Sequence, residues 1–290
     1  MIAITGATGQ LGRLVIQQLL QVLPAAQIVA AVRRPEKAAD LAALGVQVRR
    51  ADYTQPATLE VAFQGVSKLL LISSSEIGQR APQHAAVIAA AQKAGVMLLA
   101  YTSILHADRS PLSLAAEHVA TEAALRASGL PHVLLRNGWY TENYTASVPA
   151  ALQHGAVLGS AKDGRIASAA RGDYAAAAAA VLTTEDQAGR VYELAGDTAY
   201  TLSELAAEIT QQSGKPVVYN DLPETAYTAA LVQAGLPEGF AKLLADSDVG
   251  ASQGALFDDS NQLSQLIGRP TSPLALAVKA ALGMACTKER

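Results

Sequence analysis

The first twelve residues, Met-Ile-Ala-Ile-Thr-Gly-Ala-Thr-Gly-Gln-Leu-Gly, constrain the fold more than any other stretch. Residues 1–5 suit a short buried strand and residues 13–20 form an amphipathic run, so Gly6, Gly9 and Gly12 fall where a strand turns into a helix. Gly6 permits a turn that a Cβ would strain, Gly9 lets the backbone approach a phosphate, and Gly12 lets the helix pack closely on the strand. The helix N-terminus then offers free N–H groups and a partial positive charge to a pyrophosphate. A turn that served structure alone would not need three glycines. The spacing therefore predicts a dinucleotide site at the opening of the chain.

The rest of the pattern alternates. Strands are expected at 27–32, 46–49, 68–72, 97–101 and 132–136, with helices at 35–44, 55–63, 83–94 and 118–127 between them. With the opening strand, this implies a doubly wound parallel α/β sheet of the Rossmann type. Residues 166–171 read as a short strand, and 174–181, with six consecutive alanines, as a buried helix pressed against the sheet. A strand at 191–194, a helix at 202–213, a short strand at 216–219 and helical segments at 223–234, 239–245 and 274–282 suggest a smaller, mostly helical C-terminal substrate domain. The expected division is 1–136 plus about 157–184 for an NADP-binding domain, and about 137–156 plus 185–290 for the substrate domain. Residues 246–259 read as a mobile lid or a fixed loop, because the glycines there permit motion.

Half of the 290 residues are apolar, 16% are charged and the net charge is −3, which excludes an electrostatic pull toward nucleic acid. Cys286 is the only cysteine, so neither an intrachain disulfide nor a cysteine-based metal cluster forms, and no metal site is expected. The apolar stretches end well short of the ~20 residues that a membrane span needs. Met1 leads straight into the first strand, so no membrane span and a cytoplasmic location are expected.

Several side chains stand where such a sheet binds ligands. Arg33 follows the second strand, where an acidic residue would bind the 2′-hydroxyl of NAD. A guanidinium there suits the 2′-phosphate of NADP, and no carboxylate stands at the strand tip to oppose it; Arg34 reads as solvated. Asp52, after the third strand, suits either an adenine edge or an ordinary turn. Ser73, Ser74 and Ser75 end the fourth strand, where they can line a ribose or cap the next helix. The run Asn137, Gly138, Trp139, Tyr140, Thr141, Glu142, Asn143 and Tyr144 combines the sole tryptophan with two of the nine tyrosines and two amides. That mix suits a pocket with an apolar wall, or a hinge.

The glycine motif, Arg33 and the run Leu135-Arg136-Asn137-Gly138-Trp139-Tyr140 resemble the NmrA-like branch of the short-chain dehydrogenase/reductase superfamily. The likeness covers nearly the whole chain, and is greatest to the quinone reductases and slightly less to the triphenylmethane dye reductases. It implies that NADPH is held by Gly6, Ala7, Thr8, Gly9, Gln10, Leu11, Arg33, Ser73, Ser74, Ser75, Asn137, Gly138, Trp139, Tyr140, Thr141, Glu142 and Arg171. It also implies hydride transfer to a quinone without flavin, with Gln10, Tyr140 and Asn143 near the acceptor.

The superfamily's Tyr-x-x-x-Lys helix carries His118-Val119-Ala120-Thr121-Glu122 here, which puts His118 and Glu122 on one helical face, as an acid/base pair or a structural one. Losing the tyrosine suits a quinone, which is electrophilic and needs chiefly positioning. The loss equally fits NmrA-like proteins that sense NADP(H) without catalysis. The oligomeric state stays open, a homo-oligomer included.

Overall fold

Short apolar runs bounded by turn residues form the strands, and longer runs with helical periodicity form the helices. A computed structural model describes residues 1–76 and 78–288, with side chains through residue 283; the Cys286 side chain lies outside the described residues. In chain order the elements are β1 (Ile2–Thr5), α1 (Gln10–Leu19), β2 (Ile28–Val32), α2 (Ala39–Ala43), β3 (Gln47–Arg50), α3 (Pro56–Ala62), β4 (Lys68–Leu71), α4 (Arg80–Lys93), β5 (Leu98–Ile104), α5 (Ala115–Ser128) and β6 (His132–Asn137). There follow α6 (Thr141–Thr145), α7 (Val148–His154), β7 (Ala156–Gly159), α8 (Arg171–Thr183), β8 (Val191–Leu194), α9 (Leu202–Ser213), β9 (Val218–Asp221), α10 (Glu224–Gln233), α11 (Glu238–Ser252), α12 (Gln262–Ile267) and α13 (Leu274–Lys288).

The chain divides into two units. The first comprises Met1–Asp108, Ala116–Asn137 and Arg171–Glu193, and its strands lie in a seven-stranded sheet of order β3-β2-β1-β4-β5-β6-β8. Neighbouring strands from β3 to β6 pair in parallel, for example Ile4 with Ala30 and Leu70. Every residue of β1, β2 and β5 is buried, as expected for a parallel sheet covered on both faces. One face (Ala3, Val29, Leu69, Leu99, Tyr101) packs on Leu59 of α3, Val87 of α4 and Leu125 of α5. Helix α8 packs along α1 and touches β4 and β5. Its alanines 175, 177, 178 and 179 are buried, so their small side chains allow the close approach that the alanine run predicted. The strand order reverses between β1 and β4, which is where open parallel sheets bind ligands, beyond the carboxyl ends.

The second unit comprises Arg109–Ala115, Gly138–Ala170 and Leu194–Arg290, is mostly helical, and contains the two-stranded parallel sheet β7-β9. This moves several of the expected boundaries: Arg109–Ala115 belongs to the second unit and Asn137 to the first. Residues 157–170 fall in the second unit because β7 pairs with β9, and 185–193 stay in the first because β8 extends the large sheet. The strand expected at 166–171 reduces to isolated bridges, Ile166 with Tyr200 and Tyr140 with Ala169. Half of the expected loop at 246–259 is helix, since α11 runs on through Gly250 to Ser252. The Leu112 side chain occupies the space that a Cβ on Gly250 would need, so this glycine serves packing rather than bending.

Candidate active site

In the first unit, β1 ends in a turn where Gly6 has φ +58° and Gly9 N–H donates to Gly6 O at 2.9 Å. A Cβ on Gly12 would lie 2.5 Å from Gly6 O and 2.7 Å from Ala7 Cα, backbone atoms that cannot swing aside. A Cβ on Gly9 would meet Gly6 O at 3.1 Å. Gly9 is also the N-cap of α1 and supplies no side-chain acceptor, so the first-turn N–H groups of α1 are left for an anion. Gln10 stands exposed at this terminus, whereas Leu11 is buried in the core. Arg13 braces the loop by donating to Thr8 O at 3.3 Å and to Lys37 O at 2.9 Å.

The tip of β2, expected to be free of carboxylates, is not. Arg33 has a carboxylate beside it: its Nη1 donates to Glu76 Oε1 at 2.7 Å. Glu76 arrives from the loop after β4, 43 residues away, so no local pattern announces it. Asp52 takes the turn role: its carboxylate accepts from Thr54 N–H at 3.0 Å and Thr54 Oγ1 at 2.8 Å. Burial pushes the Asp52 carboxyl up, but the Thr54 bonds and the nearby Arg33 and Arg50 outweigh it and hold the pKa below its usual value.

The serine loop after β4 is fixed from behind. Ser73 N–H donates to Thr102 Oγ1 and Ser74 N–H to His84 Nε2, each at 2.9 Å, while Arg80 Nε donates to Ser74 O. Ser74 Oγ accepts from Glu76 N–H at 3.1 Å, a turn contact rather than a helix cap. An amide can only donate, so His84 Nε2 is unprotonated and Nδ1 carries the hydrogen, which goes to Thr121 Oγ1 at 2.9 Å. Burial, with the Arg80 charge adding to it, pushes His84 down to about 4.

His118 and Glu122 lie on one face of α5, yet they meet different residues of β5 rather than each other. Tyr101 OH and His118 Nδ1 are 2.7 Å apart, and burial pushes His118 down to about 3, with Arg80 and His84 contributing. Glu122 accepts instead from Ser103 Oγ at 2.7 Å, Arg126 Nη2 at 2.9 Å and Arg136 Nη2 at 2.8 Å. The pair expected between His118 and Glu122, acid/base or structural, is replaced by two separate buried contacts. Arg136 also meets Asp108 at 2.9 Å and Glu193 at 2.8 Å, an ion-pair network that the sequence reading missed. At the end of β6, Asn137 is buried and its Oδ1 has no hydrogen-bond partner. A buried carbonyl left bare costs about 1–3 kcal/mol, so a donor supplied by a ligand fits this position. Arg171, half-buried, opens α8.

In the second unit, Gly138 N–H donates to Leu194 O at 2.7 Å and Trp139 is buried. Tyr140 is the N-cap of α6 without a side-chain cap, and Glu142 and Asn143 are half-buried. Thr141 is turned inward: its hydroxyl meets Ser168 Oγ at 2.8 Å, which meets Tyr200 OH at 2.7 Å. A cavity of about 540 Å³ lies beside these hydroxyls, but its walls include Asp197, Glu204 and Glu208 and do not suit a flat apolar ring. Tyr144 donates to Asp248 Oδ1 at 2.9 Å and Ser160 N–H donates to Asp248 Oδ2 at 3.0 Å. No group of three His, Cys, Asp or Glu side chains able to hold a metal ion occurs among the described residues. Nor is any described helix long and apolar enough to cross a membrane.

The chain resembles proteins of known activity along nearly its whole length. It is 63% identical to quinone oxidoreductase 2 of Escherichia coli (strain K12) over 278 residues, 96% of this chain and 97% of that protein. The crystal structure of the Escherichia coli NADPH-dependent quinone oxidoreductase complexed with NADPH superposes with a TM-score of 0.95 at 62% identity, covering 97% of this chain and 100% of that one. The Citrobacter sp. triphenylmethane reductase complexed with NADP(H) superposes with a TM-score of 0.93 at 43% identity, with the same 97% and 100% coverage. Residues 6–185 match the NAD(P)H-binding family, a stretch that begins at the first glycine of the turn and runs past α8. The uncapped glycine turn, the sheet order and these likenesses agree: the chain belongs to the NmrA-like family of NAD(P)H-binding proteins.

Proposed function

We propose that this protein is an NADPH-dependent quinone oxidoreductase, and that it works without flavin. The observation that carries the reading is the 63% identity to a quinone oxidoreductase over nearly the full length of both chains. The uncapped glycine turn and the bare Asn137 Oδ1 add physical support for a dinucleotide. When bound, the reduced nicotinamide supplies a hydride for two-electron reduction of the acceptor.

The chain's own residues bind and orient. The N–H groups from Gly9 to Leu11 face the pyrophosphate, Gly6, Ala7 and Thr8 shape the turn, and Arg33 takes the 2′-phosphate. Ser73, Ser74 and Ser75 line the ribose side, and Asn137 offers its carbonyl as an acceptor. Gly138, Trp139, Tyr140, Thr141, Glu142 and Arg171 complete the coenzyme contacts. The first unit thus serves as the NADP-binding domain; Gln10, Tyr140 and Asn143 are the residues assigned to the acceptor. An acceptor this electrophilic needs a fixed ring and an excluded solvent more than an acid group, and water can supply the one proton that completes the hydroquinone after hydride transfer. A neutral, buried His118 fits that division of labour. The protein works in the cytoplasm on a small-molecule quinone.

Nicotinamide absorbance tests the reading: purified protein is given NADPH or NADH, with a benzoquinone, a triphenylmethane dye or no acceptor. Quinone-dependent oxidation favouring NADPH is expected. Tight NADPH binding without turnover on any acceptor would make the protein a coenzyme sensor instead. Gln10→Ala and Asn143→Ala are expected to lower kcat/KM for quinones by about ten-fold; unchanged values for every quinone tried would remove both residues from the acceptor site.

A further inference from the structure

Glu76 is held as a recognition group is held. Its Oε1 accepts from Arg33 Nη1 and its Oε2 from Gln83 Nε2, both at 2.7 Å, and its own N–H donates to Ser74 Oγ at 3.1 Å. Gln83 is buried, and its Oε1 has no partner. Turning that amide over would set its oxygen against the carboxylate, so the donor stays aimed at Glu76. The Gln83 and Arg33 bonds hold the Glu76 carboxyl below its ordinary pKa, and it is ionised at neutral pH. The other carboxylate near Arg33, Asp52, is already bound by Thr54 and buried. Glu76 is 43% exposed and keeps acceptor capacity toward solvent.

The end of β2 therefore carries both kinds of ribose recognition. A 2′-phosphate needs a cation, and a 2′-hydroxyl needs a carboxylate acceptor. Arg33 is the first and Glu76 the second. We propose that Glu76 is a specificity-determining residue: it accepts the adenosine 2′-hydroxyl of NADH and opposes the 2′-phosphate of NADPH, so that one site takes both coenzymes. This rests on the coenzyme reading above. NADPH draws Arg33 away from Glu76, which is feasible because an exposed ion pair is weak, but the carboxylate stays beside the phosphate on its Gln83 anchor. NADH leaves the ion pair intact and adds a hydroxyl donor to it.

One isosteric substitution moves the two coenzymes in opposite directions. Dissociation constants for NADPH and NADH are measured by nicotinamide fluorescence on the wild type, Glu76→Gln and Arg33→Ala. Glu76→Gln is expected to tighten NADPH about five-fold and to weaken NADH by a similar factor. Arg33→Ala is expected to weaken NADPH by about ten-fold or more. If the wild type binds NADPH and Arg33→Ala weakens it, but Glu76→Gln leaves both constants unchanged or moves them together, the inference is overturned while the coenzyme reading stands. If the wild type binds neither coenzyme, both are overturned.

Discussion

Asp248 gives the sharpest test of the electrostatics inside the second unit. It is 2% exposed on α11, and its fixed donors, the Tyr144 hydroxyl and the Ser160 N–H, are neutral. Tyr200, Tyr219 and Tyr227 stand around it, and Asp221 adds a second negative charge. Burial raises its pKa from 3.8 to about 6, against the pull of the two donors. Between those two values the folded chain binds more protons than the unfolded chain, so stability is lost as pH rises through the folded pKa. That rise in pKa corresponds to about 3 kcal/mol, fully lost by neutral pH. Asp248→Asn abolishes this titration, keeps the Tyr144 acceptor, and sets an amide against Ser160 N–H at a constant cost of about 1–3 kcal/mol. The stability of the Asn variant relative to wild type should therefore improve by about 3 kcal/mol from about pH 4 to about pH 7, whatever the constant offset. His84 and His118 titrate the other way, with stability lost on acidification, but both proteins contain them and their contribution cancels in the difference. Urea unfolding followed by Trp139 fluorescence reports the right unit, since Trp139 is the only tryptophan and lies within it. A difference that is flat with pH, or one that favours Asp248 more strongly at pH 7, would refute the argument.

Two further substitutions probe the first unit. Glu122→Gln removes the buried partner of Arg136, which retains Glu193 and Asp108, and should cost about 3 kcal/mol in urea unfolding. The Arg136 and Ser103 bonds overcome burial and hold Glu122 below 4.5, so its contribution is present above that pH and fades on acidification; the variant should lose less stability than wild type there. A cost below about 1 kcal/mol would show that the network carries little of the fold's stability. His118→Gln should cost about 1–3 kcal/mol through the Tyr101 contact while leaving the pH profile of quinone reduction unchanged, because a group pushed down to about 3 does not titrate in the working range. Loss of a limb of that profile between about pH 6 and about pH 7 would identify His118 as an acid/base group after all.

The parts of the fold that were legible in the sequence are those set by local chemistry. Gly6 needs positive φ and Gly12 has no room for a Cβ, so the residue types and their spacing are enough to announce the motif. Strands β1, β2 and β5 of the large sheet are buried on both faces and therefore stand out as apolar runs. Distant pairing was not legible. β7 is short and has an exposed Leu158, and its partner β9 lies about sixty residues on, so neither it nor the domain boundary it sets leaves a local trace. Gly250 resembles a helix breaker until Leu112 is seen against it. The helix expected at 35–44 is a 3₁₀ turn at Pro35–Ala38 followed by α2. In the candidate site, Arg33 could be read from its position, while Glu76 could not, because only tertiary folding of the loop after β4 brings it there.

The spacing of His118 and Glu122 shows how a correct periodicity can suggest the wrong partnership. Two residues four apart share a helical face, but that face meets several groups at once, on β5 and, through Arg136, on β6. His118 lands on Tyr101 and Glu122 on Ser103, two residues apart on β5 and both buried. Thr121, between them, accepts from His84, whose other ring nitrogen holds the Ser74 N–H. The helix that carries the proton donor in tyrosine-dependent relatives thus serves here as a polar brace, with every inward group hydrogen-bonded, as burial demands. One line of that brace ends at the backbone of the serine loop, and the residue two further along that loop is Glu76. Chemistry lost from α5 is consistent with an acceptor that needs no acid group, and what the helix still does is hold the loop after β4 through Thr121 and His84.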